Sequence, residues 1–276
     1  MKIQGVPGVT NVDELERHIV AHGCYDEVEN RRIFKKWFSG TRPRDRVYEY
    51  VAQKFGILDS LMCDVGCGYG PTLVHAKPGS FGIELEDYQC AFGRSVGLTI
   101  HTRNIITDDL ADLPLVDTVW CAATLEHVDA PHVFLRRLYY LLKPGGRLFL
   151  EVPCALPARW MLAIPGAAHV YEDHDDHVNS FSPTSLSRFC ERAGFEELSV
   201  FRYSTPLINR LKAMPVWATR LPPFNLVANS IMYVGKQIPD WDYPPKATRR
   251  AANNPAGYRF RSMFGPRDSK PEDVRH

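Results

Sequence analysis

The chain has no long apolar run, no paired cysteine motif and almost no net charge, and each absence removes a class of function. The longest apolar stretch, Trp160 to Val170, contains Pro165 and Gly166 and is far too short to cross a bilayer. No apolar core follows a basic start, so no secretory signal is expected. Lysines and arginines number 33 against 32 acids, a formal net charge of +1. That balance gives no global reason to expect nucleic acid or an anionic surface as partner. The 7 cysteines are odd in number and scattered. They point to reduced thiols in a cytoplasm rather than to a disulfide framework. Cys63 and Cys67 are not a Cys-x-x-Cys pair, and no second pair completes a zinc site. What remains is an ordinary globular composition, 45% hydrophobic and 24% charged, over 276 residues. That is room for one large α/β domain with insertions, or for two small domains.

The chain is organised around Leu61-Met62-Cys63-Asp64-Val65-Gly66-Cys67-Gly68-Tyr69-Gly70. A short apolar run ends in an acid, and three glycines follow at alternate positions. Such a run reads as a buried parallel strand. The glycines allow a sharp turn that brings bare backbone N–H groups against a ligand. A helix over 71–76, starting near Pro71, would aim its N-terminus at the same ligand. Asp64 would sit at the strand's carboxyl end, where an open α/β sheet binds its ligand, and could accept a hydrogen bond from a cationic amine. Ser80-Phe81-Gly82-Ile83-Glu84 repeats the signature 20 residues after Asp64. A carboxylate there can take both hydroxyls of a ribose, one per oxygen.

Two later stretches complete a pattern: Leu125-Glu126-His127-Val128, and Leu142-Lys143-Pro144-Gly145-Gly146. With Asp64 to Gly70 and Glu84, they stand in the order and near the spacing of class I S-adenosylmethionine-dependent methyltransferases. The chain resembles the bacterial group that includes ubiquinone-biosynthesis and saccharide O-methyltransferases, over about residues 45 to 236. The resemblance implies a Rossmann-like, seven-stranded, mostly parallel sheet with helices on both faces and an antiparallel last strand, inserted next to the sixth. It implies S-adenosylmethionine as cofactor. Gly66, Cys67, Gly68 and Gly70 would surround the methionine part, with Asp64 near its amine. Glu84 would hold the ribose. Leu85 would pack on the adenine, Asn104 and Ile105 would lie at its edge, and Cys121 and Ala122 would line the sulfur.

The catalytic base is sought among histidines, since imidazole accepts a proton near neutral pH. An acidic run, Glu172-Asp173-His174-Asp175-Asp176-His177, precedes Asn179-Ser180-Phe181-Ser182. His177 is the first candidate, with His174 and Asp176 behind it. His127 is a further candidate, although in the resembled proteins its Glu-His pair is often structural. Some of those relatives bind a divalent metal with this pair plus an acid three residues earlier. That position is Ala123 here, so no metal site is assigned. Asp173, Asp175 and Asp176 could still supply oxygen ligands to Mg2+.

The rest of the chain reads as follows. Residues 1–10 are expected to be a flexible start. Helices are expected from Asn11, over 26–38 and 44–55, then at 87–95, 131–142 and 183–193. Strands are expected at 61–65, 81–84, 98–102, 116–121, 147–151, 197–203 and 228–236. The resemblance implies an N-terminal helical lid at 1–44 and the methyltransferase domain at 45–238. That domain carries insertions at 154–180 and 204–227 that shape the acceptor pocket. Residues 239–276, rich in proline, glycine and charge, read as an extended or disordered tail.

The expected activity is O-methylation of a hydroxyl on a saccharide, glycolipid or related metabolite, because a His/Asp loop suits a polyol. A phenol, quinone or amine acceptor is the alternative. The partner is therefore a small molecule or glycan, with peripheral membrane contact left open. A different class, an NAD(P)-dependent dehydrogenase, shares the glycine turn and the following acid. The alternating glycines and Leu125-Glu126-His127 argue against it. A methyltransferase fold that binds without turnover is the other rival.

Overall fold

The computed structural model describes residues 1–154, 177–203 and 228–241. The chain opens with helix α1 (Val12–His22), capped by the Asn11 side chain, which accepts the Glu14 N–H. Helix α2 (Glu27–Ile33) continues into a π-helical turn, Phe34–Phe38, and α3 spans Pro43–Phe55. Strands β1 (Met62–Val65) and β2 (Phe81–Glu84) follow, then α4 (Asp87–Ser95) and β3 (Ile100–Thr102). Next come β4 (Val116–Ala122), α5 (Pro131–Leu141) and β5 (Leu142–Pro153). The last described elements are α6 (Pro183–Ala193), β6 (Phe195–Tyr203) and β7 (Ser230–Gln237). Helix α6 has Ser182 as cap, Pro183 in its first turn and Gly194 (φ +101°) as its stop.

The seven strands form one sheet in the order β3-β2-β1-β4-β5-β7-β6. The first five run parallel, and β7 is antiparallel to both β5 and β6. This is the architecture the resemblance implied, with the last strand between the fifth and sixth. Side chains alternate across the strands, so the sheet has two cores. Met62, Trp120, Phe149 and Val234 face α1, α3 and α4. Cys63, Val65, Val119, Leu148 and Tyr233 face α5 and α6.

Two expectations fail, for one shared reason. Residues 1–10 are not loose: Ile3, Val6 and Val9 are buried, and the N–H groups of Gln4 and Gly5 both reach the Val74 carbonyl at 3.0 Å. The Gln4 side chain also donates to the carbonyls of Leu58 and His75. The N-terminal segment thus claims the backbone of residues 71–76. There is no α-helix there, only a 3-10 turn at Leu73–His75. Its carbonyls serve the N-terminus, and Leu73 and Val74 are drawn into the core. No helix N-terminus follows Pro71 to face a ligand. A smaller difference is one of bounds: β5 begins at Leu142 rather than at 147, so Pro144-Gly145-Gly146 lies inside the strand.

Candidate active site

The carboxyl ends of β1 and β2 meet at the glycine turn. Gly66, Gly68 and Gly70 have φ of +71°, +57° and +86°, a region side chains disfavour. At Gly66 there is a second constraint, since a Cβ would stand 2.1 Å from Thr124 Oγ1. The turn is clasped by the next strand. Glu84 Oε2 accepts the Gly68 N–H at 2.7 Å. Its Oε1 accepts the N–H of Leu85 at 2.7 Å and of Glu86 at 3.1 Å. Asp64 pairs in register with Gly82, two residues before Glu84. The two acids therefore flank the glycine turn from neighbouring strands.

Asp64 is 3% exposed. Burial pushes its carboxyl up to about 7; Arg44 opposes that rise and Glu84 adds to it. Above it lies α3. Tyr48 of that helix is buried and keeps its hydroxyl without a hydrogen-bond partner among the described residues. Burial raises this phenol, and the charge of Asp64 raises it further.

The other cofactor candidates are placed as follows. Leu85 is exposed at the mouth of the turn, and Cys67 is buried beneath it against Gly82. Asn104 Oδ1 accepts the Ile106 N–H at 2.9 Å, so its outward group is the NH2 donor. Ile105 is buried, its carbonyl held by Arg137. Ala122 and Cys121 close β4 on opposite faces. The Cys121 thiol is turned into the core and pushed well up by burial, so any contact it makes in the crevice is through its main chain.

After β4 the chain turns through Ala123, whose φ is +50°. That strained turn leads to a 3-10 segment, Leu125–His127. The segment Val178-Asn179 is strapped onto it: both N–H groups donate to the Glu126 carbonyl at 3.0 Å, and Asn179 Nδ2 donates to the Val128 carbonyl. The strap brings His177 against His127, ring centroids 4.7 Å apart and edge to face. Ligand atoms of Glu126, His127 and His177 lie within 4.8 Å of one another. Two imidazoles and one carboxylate suit a borderline transition-metal ion rather than Mg2+, which prefers oxygen ligands. Of the remaining candidates, His174, Asp176 and the acids Asp173 and Asp175 lie outside the described residues.

Three residues of the site carry no sequence expectation. Glu151, at the tip of β5, is 4% exposed, and its Oε2 accepts the Arg44 Nε–H at 2.9 Å. Burial works against the Arg44 charge, and Glu151, Tyr203 and Glu126 together outweigh it, so the guanidinium stays charged. Burial raises the phenol of Tyr203, at the end of β6, and the charge of the Glu151 carboxylate raises it further. The signal for Glu151 was present: Leu148-Phe149-Leu150-Glu151 is a third apolar strand ending in an acid.

The methyltransferase-domain family matches residues 40–200, more than half of the chain. The chain belongs to the class I S-adenosylmethionine-dependent methyltransferases. The ubiquinone biosynthesis O-methyltransferase of Xanthomonas euvesicatoria is 29% identical to this methyltransferase over 204 residues, covering 65% of it and 84% of that protein. The enzyme of the same name from Pseudomonas aeruginosa is 26% identical over 160 residues, covering 53% and 69%. Among solved structures, an S-adenosylmethionine-dependent methyltransferase of Archaeoglobus fulgidus superposes with a TM-score of 0.52 at 16% identity, covering 75% of this chain and 99% of that one. One from Clostridium acetobutylicum gives 0.52 at 10% identity, covering 76% and 98%. These superpositions bear on the fold alone. The dehydrogenase alternative gives way to the family membership. Among the described residues no helix of the methyltransferase is long and apolar enough to cross a membrane.

Proposed function

We propose that this methyltransferase transfers the methyl group of S-adenosylmethionine to a hydroxyl oxygen of a small molecule at the carboxyl ends of β4 and β5. One observation carries the cofactor reading: a turn of three left-handed glycines held between Asp64 and Glu84 on adjacent strands. Asp64 receives the ammonium of the methionine moiety, and Gly66, Cys67, Gly68 and Gly70 line it. Arg44 receives the carboxylate, since its Nε is used by Glu151 and its two NH2 groups make no hydrogen bond to the described residues. A contribution from α3 to the cofactor site supports the lid role of the N-terminal helices. Glu84 holds the ribose. Oε2 has a lone pair to spare beside Gly68, while Oε1 takes a second hydroxyl only by giving up the longer Glu86 bond. Leu85 packs on the adenine, and Asn104 donates its NH2 to a ring nitrogen.

Methyl transfer is an in-line displacement, in which the acceptor oxygen attacks the methyl carbon as the carbon–sulfur bond breaks. The protein must hold the oxygen in line, keep water out and take a proton. His177 takes the proton, and His127 packs edge to face against it and fixes its ring. An imidazole base matches a phenolic hydroxyl, with pKa about 10, better than an aliphatic one. The O-methyltransferase name carried by the relatives fits that choice. A saccharide acceptor rests on the run Glu172 to Asp176, which lies outside the described residues.

The test pairs calorimetric titration of S-adenosylmethionine with transfer of a labelled methyl to a panel of phenols, sugars and amines. Incorporation into phenols is expected. Replacing His177 by alanine should lower kcat about 100-fold and leave cofactor affinity unchanged. Methylation confined to amines, or a His177→Ala variant with full turnover, would overturn the hydroxyl reading or the base assignment respectively.

A further inference from the structure

We infer that Glu151 is a positioning residue that sets the Arg44 fork toward the cofactor's carboxylate. The inference rests on the reading that Arg44 receives that carboxylate, and adds what holds it there. Glu151 stands in register with Ala122 of β4 and Met232 of β7, so it belongs to the acceptor half of the sheet. Arg44 comes from α3, 107 residues away in sequence. The Arg44 Nε–H donates to Glu151 Oε2 at 2.9 Å, and the buried Tyr203 of β6, paired in register with Ser230 of β7, lies within reach of the Glu151 charge.

The consequence follows from guanidinium geometry. The group is planar, with its five N–H donors in a fixed fork. Anchoring Nε sets the plane and the direction of the two NH2 groups. Those groups bond none of the described residues, and the side chain keeps 32% of its surface exposed. The fork therefore opens away from Glu151, and the charge it carries reaches Asp64. An ammonium at Asp64 and a carboxylate at Arg44 are the two charges of one α-amino acid.

The test compares S-adenosylmethionine with its decarboxylated analogue, which lacks only the carboxylate, by calorimetry. The wild-type protein should prefer the parent by at least about tenfold, the size of a charge-assisted pair of hydrogen bonds. Arg44→Met should abolish the preference. Glu151→Gln should reduce it to about twofold although Arg44 is intact, and the double variant should lose no more than Arg44→Met. Glu151→Asp, which keeps the charge but draws the carboxylate back by one methylene, should reduce it about threefold. A role in stability alone would weaken both ligands equally and leave the preference unchanged. Full preference in Glu151→Gln, or in Glu151→Asp should the former not fold, overturns the positioning role while the Arg44 reading stands. Full preference in Arg44→Met overturns that reading itself.

Discussion

Acidification should release the cofactor through Asp64 well above the pH at which ordinary carboxylates protonate. The carboxyl is 3% exposed, and burial, opposed by Arg44 and reinforced by Glu84, places its pKa at about 7. An ammonium ligand pairs with the ionised form. With that pKa about half the sites are ionised at pH 7 and about one in thirty at pH 5.5, so affinity should fall roughly 15-fold over the interval. An aspartate at its usual value near 4 would give a flat line there. On the alkaline side the ligand's own α-amino group loses its proton near pH 8, so affinity should peak between about pH 7 and 8. Stability runs the opposite way. The folded pKa lies above the unfolded one, so the native state holds the extra proton between about pH 4 and 7. The cofactor-free protein should therefore lose stability as pH rises through that window, by up to about 1.4 kcal/mol per unit, and level off above it. Calorimetric titrations from pH 5.5 to 8.5, with melting curves of the unliganded protein, measure both effects. Asp64→Asn should bind weakly and without slope below pH 7. A wild-type affinity that is flat between pH 5.5 and 7, or the same slope in Asp64→Asn, would refute the argument.

Three further substitutions probe the frame of the site. Gly66→Ala combines a φ of +71° with a Cβ 2.1 Å from Thr124 Oγ1. It should cost at least about 1–2 kcal/mol and weaken cofactor binding, and adding Thr124→Ala should restore the steric part only. Equal melting temperatures for wild type and Gly66→Ala would contradict this. Glu84→Ala removes the acceptor for the N–H groups of Gly68, Leu85 and Glu86 as well as for the ribose. Circular dichroism should be unchanged while cofactor affinity drops at least about tenfold, and normal affinity would reject the ribose assignment. Arg136, 7% exposed, donates to the Ala193 carbonyl and the Tyr140 hydroxyl and is packed by Tyr139, Tyr140 and Trp241. Arg136→Ala should destabilise by about 2–4 kcal/mol with cofactor affinity unaltered in the folded protein; a change in affinity without a change in melting would show that it serves the site.

Where local chemistry decided the structure, the sequence was readable. Asn11 and Ser182 cap α1 and α6 because a short polar side chain meets an orphan N–H group wherever it falls. The alternating glycines of β1's turn take left-handed φ because the turn has no other solution. Where a distant segment intervened, the local signal misled. Pro71 looked like the start of a helix, and in isolation it could be one. The Val74 carbonyl instead takes the N–H groups of Gln4 and Gly5, a pairing across about seventy residues that no window of sequence contains. The meeting of His127 and His177 is of the same kind: each could be nominated, but only the hydrogen bonds from Val178 and Asn179 to Glu126 put them in contact.

The three acid-tipped strands show why residue type outran role. Asp64, Glu84 and Glu151 each end an apolar run, and in sequence they are the same signal. The sheet order separates them. Glu84 lies on β2, beside β1 on the side of β3, where its carboxylate meets the glycine turn. Glu151 lies on β5, beyond β4, where its carboxylate accepts from Arg44 of α3. Asp64 lies between them and under α3, where burial pushes its carboxyl up, Arg44 opposes that rise and Glu84 adds to it. A strand tip therefore says that an acid will face the crevice; the crossing of the chain decides whether it faces a ligand, a loop or an arginine.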